Sequence, residues 1–390
     1  EEINAWNDRL RMATDVIEQW LILQRNWMSL QPIFASPDIR KQLPKEDKKF
    51  RSVDKLWRVT MGQVKIKSAV LEFCDNATLR DKMTNANMVL DQVQKALAQY
   101  LNTKRAAFAR FYFLSDDELL GILSKVGRDP TRIQPFISKV FENIAKLDFG
   151  KHYSITGMKS AKGECVKFVE PVDPRDREVE DWLSEIRDQM RETMRFRFKT
   201  AIADYKERKR NDWIARVGHP GQCVLQGSQV RWTIEVEEAF DNGGFKGITE
   251  YFKSLEKQLM GTVALAREKL KKLVRKILGP LIVLDVHAKD VVEGLVEEKC
   301  GSKIDFPWIR QMRYYIQDTN PMNDDQEEQY GQIMVEMTKS RFPMCYEYIG
   351  NSGRLVITPL TDRCYMTLMT ALQLHLGGAP AGPAGTGKTE

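Results

Sequence analysis

The chain has 390 residues, 42% hydrophobic and 29% charged, with 60 basic and 54 acidic side chains and a net charge of +6. That length holds two or three domains' worth of core, and the charge balance is too even to point to nucleic acid. No apolar run reaches the roughly 18 residues of a membrane span and no secretory leader is recognisable. The six cysteines and four histidines are dispersed, so neither a disulfide framework nor a zinc site is expected, and a reducing cytosolic setting is the default.

The chain starts at Glu1 without a methionine, already inside a helical pattern, and both ends read as cuts in a longer polypeptide. The first 30 residues predict a helix with Trp6, Leu10, Ile17, Trp20, Leu21, Trp27 and Leu30 on or near one face, read as ordinary core. Ser36 before Pro37 marks a helix start. A further helix carries Leu56, Trp57 and Met61, and a long one covers about 79–105. Arg110 to Leu114 reads as a short aromatic strand, Ser115 to Glu118 as a capping box, and Asp129 with Pro130 as another helix start. Two strands around a turn at 160–163 are predicted within 153–169.

A second long helix is predicted from about 176 to 210, with Val179, Leu183, Ile186, Met190, Met194, Ala201 and Tyr205 as its apolar stripe and a basic, solvated remainder. His219, Pro220 and Gly221 break the pattern. Helices near 228–240 and 246–278 follow, the latter with Lys269, Lys272 and Lys276 on one solvated face and a stop at Gly279 and Pro280. Leu281 to His287 is a buried run leading into another helix, with His287 a core or boundary histidine that has no acidic or nucleophilic partner in view. Trp308–Ile316 and Ile333–Thr338 predict strands around a polar, mobile loop at 317–331. Arg354 to Leu360 reads as extended, ended by Pro359, and Asp362 to Leu376 as a helix with Tyr365, Leu368, Met369, Leu372 and Leu376 on one face.

Gly382, Pro383, Ala384, Gly385, Thr386, Gly387, Lys388 and Thr389 then match the P-loop pattern at every fixed position. Glycines let backbone N–H groups approach phosphate oxygens without a Cβ in the way. Lys388 is expected to reach the β- and γ-phosphates of ATP or ADP, and Thr389 to place its hydroxyl on Mg²⁺. Hydrolysis also needs an acidic Walker B residue, sensors and an arginine finger, which follow a P-loop in chain order. The chain alone is therefore expected not to turn over ATP. No catalytic constellation stands out elsewhere, and the paired carboxylates Asp116 and Asp117 are explained by capping. A helical scaffold with a vestigial P-loop, or the front of another P-loop NTPase such as a kinase or GTPase, are the competing readings.

The runs Phe111–Leu120, Leu281–Val292, Tyr346–Ser352, Leu355–Tyr365 and Gly382–Glu390 together resemble dynein heavy chains, over nearly the whole length. The wording around Ile357 to Leu360 and after Ala379 resembles axonemal members, and the Gln24–Trp27 and Phe111–Leu120 runs resemble inner-arm chains. Ala109 stands where the family usually has proline, and Ile316 where an aromatic is usual. The resemblance implies a mainly α fold. Residues 1–345 would be an elongated helical-bundle linker with small β elements near 153–169 and 306–338. Residues 346–390 would be the first strand, helix and P-loop of an α/β AAA+ module. It implies that Pro359, Leu360 and Thr361 line the adenine pocket. It also implies an ATP-driven, minus-end-directed microtubule motor of the cilium or flagellum axoneme. Its partners would be the rest of the AAA+ ring, intermediate and light chains, and doublet microtubules, with no nucleic acid and no membrane.

Overall fold

The computed structural model describes residues 1–66, 68–126, 129–317, 332–351, 353–354 and 356–385. It is mainly helical, as the sequence leads one to expect, and divides into two compact units. Unit 1 is residues 1–141, 149–155 and 172–185; unit 2 is 142–148, 156–171 and 186–390.

Unit 1 opens with α1 (Glu2–Ala35), α2 (Pro37–Gln42), α3 (Pro44–Ile66), α4 (Val70–Cys74) and α5 (Ala77–Ala107). Helix α1 runs through Pro32 and buries Ala13, Val16, Leu23, Leu30 and Phe34. This corrects the expected face, because Trp6, Leu10, Ile17 and Leu21 are exposed. A helix this long carries two apolar stripes, and the one at 13, 16, 23 and 30 is the one that packs against α5. Trp20 and Trp27 flank it and meet Trp57 of α3 at ring distances of 5.9 and 5.6 Å. Asn76 caps α5 by accepting the Leu79 N–H at 3.1 Å, and Leu90, Val93 and Leu101 of α5 lie in the core.

The expected strand at 110–114 is instead a 3-10 helix, Ala109–Phe113. Phe108 and Phe111 are the buried pair, with ring centroids 5.1 Å apart, while Tyr112 and Phe113 are exposed. A three-residue step between buried rings suits the 3-10 turn, whereas a strand needs alternation. Helix α6 (Asp116–Lys125) starts with both bonds of the predicted capping box, Ser115 with Glu118. Asp129 caps the 3-10 turn Pro130–Ile133, which leads into α7 (Gln134–Val140).

Strands β1 (Lys146–Phe149), β2 (Ile155–Lys159) and β3 (Cys165–Val172) form one sheet in that order. The β2–β3 turn closes at Ser160–Glu164, with Gly163 at φ 88°. The boundary between the units falls inside α8 (Val179–Glu207), whose Leu183, Ile186, Met190, Met194 and Ala201 are fully buried as expected. Unit 2 continues with α9 (Arg210–Ala215), α10 (Gly221–Ala266) and α11 (Lys272–Glu297).

The helix pair α10 and α11 departs from the expected boundaries. The predicted break near 241–245 is a kink inside α10 at Gly244, with φ 51° and ψ −132°, which a Cβ would strain. The predicted stop at Gly279 and Pro280 is absent: α11 passes straight through Pro280. The chain turns instead at 267–271, so Lys269 lies in the turn and not on a helix face. An interior proline costs a helix about 3 kcal/mol. Here Ile277, Leu278, Leu281, Leu284, Val292 and Leu295 of α11 are all buried, and that burial outweighs the proline.

Trp308 is likewise helical. It belongs to α12 (Phe306–Ile309) and fills a core with Trp232, Val236, Phe240, Ile248 and Leu255 of α10. The strand follows it as β4 (Arg313–Gln317), paired antiparallel with β5 (Gln332–Met337), which pairs with β6 (Ser340–Pro343). In register, Tyr314 faces Val335 and Ile316 faces Ile333. Helix α10 holds β4 in place: Thr233 Oγ1 accepts the Tyr314 N–H at 3.1 Å, and Glu237 accepts the Tyr315 hydroxyl at 2.5 Å. The predicted loop beyond Gln317 lies outside the described residues.

Candidate nucleotide-binding site

The site residues lie in the last stretch of unit 2. After β6 the chain runs through 344–358 to α13 (Pro359–Gln373). Thr358 caps that helix: its hydroxyl accepts the Thr361 N–H at 3.3 Å, and Thr361 Oγ1 accepts the Thr358 N–H at 2.9 Å. Pro359 therefore opens a helix at its first position, where its missing N–H costs nothing, and does not end a strand. No strand forms at 356–358. Residues 344–351 find backbone and side-chain partners in the rest of the unit without entering a sheet.

Of the three residues expected to line an adenine pocket, Pro359 borders a cavity of about 530 Å³, with His287, Phe306, Arg310, Thr358 and Arg363 among its walls. Leu360 is 70% exposed, and neither it nor Thr361 lines that cavity. Helix α13 buries none of its residues fully, and Leu372 and Leu376 of its expected apolar face are exposed. Gly382, Pro383, Ala384 and Gly385 form an exposed stretch in which Gly385 takes φ 78°. That left-handed backbone suits a glycine in a loop whose N–H groups must turn toward one point. Thr386, Gly387, Lys388 and Thr389 lie outside the described residues.

The structure also shows a partner the sequence did not. His287 Nε2 lies 3.9 Å from Asp362 Oδ1, both side chains about one-fifth exposed. Burial lowers the histidine below its ordinary value, opposed by Asp362 and Asp290. Burial raises the Asp362 carboxyl, opposed by His287 and Arg310. The two residues stand 75 positions apart, and nothing local signals the pairing. A second cavity, of about 260 Å³, is walled by the same two residues together with Trp232, Asp285, Tyr314 and Arg354.

Among the described residues no cluster of three or more His, Cys, Asp or Glu could hold a metal ion, and no helix is long and apolar enough to cross a membrane. All six cysteines are unpaired with one another.

Comparison with known proteins fits this layout. Residues 1–201 match the family described as dynein heavy chain, N-terminal region 2, and residues 344–390 match the hydrolytic ATP binding site of dynein motor region. Over its whole length the chain is 46% identical to dynein axonemal heavy chain 1 of Mus musculus and covers 9% of that protein. It is 42% identical to dynein axonemal heavy chain 12 of Mus musculus, covering 12% of it, and 42% identical to dynein axonemal heavy chain 3 of Homo sapiens, covering 9%. The chain thus spans about a tenth of the length of these relatives. With more than half of its residues inside the first of these family matches, the chain belongs to the dynein heavy chains.

Proposed function

We propose that this chain joins the helical lever of an axonemal microtubule motor to the ATP-binding module that drives it. In this reading residues 1–345 are the lever and 346–390 the start of the module. The observation that carries it is a complete P-loop pattern, Gly382 to Thr389, inside the stretch that matches the family's hydrolytic ATP site. The donor set fits a Mg²⁺-bound nucleoside triphosphate: backbone N–H groups freed by Gly382, Gly385 and Gly387, the Lys388 ammonium for the phosphates, and the Thr389 hydroxyl for the metal. Bound Mg²⁺ would neutralise charge on the phosphates. Pro359 supplies an apolar wall for the base, while Leu360 and Thr361 need a rearrangement of the start of α13 to join it.

The working setting is the axoneme of a cilium or flagellum, with the remaining AAA+ modules, intermediate and light chains and doublet microtubules as partners of the full heavy chain. The inner-arm resemblance belongs to the same reading. The test is Lys388→Ala in the full heavy chain, read by ATP turnover and microtubule gliding. Both are expected to fall by about 10²-fold or more, since the lysine's charge is spent on the transferring phosphoryl group. The 390-residue piece alone is expected to show no turnover in the same assay, because the hydrolytic groups are not among its residues. Unaltered turnover and gliding in the variant refute the reading.

A further inference from the structure

One buried carboxylate joins three parts of unit 2 that the chain separates widely. Glu164 lies at the end of the β2–β3 turn and is 7% exposed. One of its oxygens accepts the backbone N–H of Gly221, the first residue of α10, at 2.7 Å. The other accepts the Tyr348 hydroxyl at 2.6 Å, and Tyr348 is 1% exposed. An anion at a helix N-terminus is favoured by the unpaired N–H groups and by the helix dipole. A buried carboxylate is tolerated only when its lone pairs are satisfied, which both donors do.

Two further contacts fasten the same stretch. Gln222 donates to the Glu347 carbonyl at 2.8 Å and accepts the Ile349 N–H at 2.9 Å, as a neighbouring strand would. Lys162, two residues before Glu164, donates to the Asn351 carbonyl at 2.5 Å. Lys162 and Glu164 lie within the match to the dynein N-terminal region, and Glu347 to Asn351 within the match to the ATP site.

We propose that Glu164 is a positioning residue for the motor's stroke: its carboxylate clasps the entry segment of the ATP-binding module to the hairpin and to the start of α10, so that displacement of the segment moves the helix. This rests on the motor reading above. Without the clasp, nucleotide turnover continues but less of it becomes movement.

The test uses the full heavy chain and reads ATP turnover and gliding velocity on the same preparation. Glu164→Ala should leave turnover within about twofold and slow gliding about three- to tenfold, which at about 1.4 kcal/mol per factor of ten is a lost coupling of about 0.7–1.4 kcal/mol. Glu164→Gln keeps an acceptor for the Gly221 N–H and an amide that can donate to the Tyr348 oxygen, so it should restore most of the velocity. Tyr348→Phe removes a single hydroxyl, folds without a new cavity, and should slow gliding in the same direction as Glu164→Ala. A merely structural role would instead lower turnover and velocity in proportion, with the glutamine no better than the alanine, and that result overturns the proposal. So does unchanged gliding in both Glu164→Ala and Tyr348→Phe. If the unaltered heavy chain neither turns over ATP nor glides, the motor reading falls and takes the clasp with it; a gliding parent whose variants glide equally well refutes the clasp alone.

Discussion

Arg210 carries its guanidinium into the interior of unit 2. It donates to Asp285 Oδ1 at 2.7 Å, to Thr262 Oγ1 at 2.5 Å and to Ser228 Oγ at 3.1 Å, and Thr262 in turn donates to Asp285 Oδ2 at 3.0 Å. Asp285 is 7% exposed. Removing one member of a buried ion pair strands the other, which costs about 3–5 kcal/mol. Asp285→Ala should therefore lower the unfolding free energy of unit 2 by that amount, measured by denaturant titration. A loss under 1 kcal/mol, the range of surface pairs, would mean that Arg210 reaches water. This pair was not legible in the sequence, because its members stand 75 residues apart and neither belongs to a local motif. Ser115 with Glu118 was legible, because three residues is the spacing that the bonds themselves require.

At the scale of elements, His287 of α11 faces Asp362 at the start of α13, with Asp290 on α11 and Arg310 after α12 acting on them, and Asp285, Glu298, Arg354 and Arg363 lining the same two cavities. His287 titrates below its ordinary 6.5 in the folded chain. Between that lowered value and 6.5 the unfolded chain binds more protons, so its contribution to stability is complete above 6.5 and is lost as the pH falls. Asp362 works in the opposite sense. Its folded value is raised above 3.8, so its ionisation weakens the fold as the pH rises through that raised value. Acidification from about pH 7.5 to 5.5 should destabilise unit 2, and His287→Gln should flatten that slope. Equal slopes in the two chains would remove His287 as the cause. Element boundaries show the limits of local signals. The gap left between the helices expected near 228–240 and 246–278 falls on Gly244, whose positive φ makes it a kink and not an end. Pro280 misled, because a proline signals a stop only when packing does not hold the helix together.

At the scale of the whole molecule, the chain divides into two compact units. In unit 1, Leu90 and Val93 of α5 are fully buried with Val16 and Leu23 of α1. Leu90→Ala leaves a cavity there and should cost about 2–5 kcal/mol. Hydrogen exchange should locate the loss in α1, α3 and α5, with α10 and α11 keeping their protection; equal loss in all five helices would show that the chain unfolds as one block. The sequence by itself determined the helical class, the stripe of α8, the caps of α6 and the turn at Asp129, and the presence of a P-loop pattern, since each rests on residues within a few positions of one another. Only the tertiary structure decided which stripe of α1 is core, that the run after Ala109 coils, that Pro359 starts a helix, and that Glu164 meets Tyr348 across 184 residues. Those outcomes depend on what each face is pressed against, and a periodicity read along one segment carries no information about its neighbours in space.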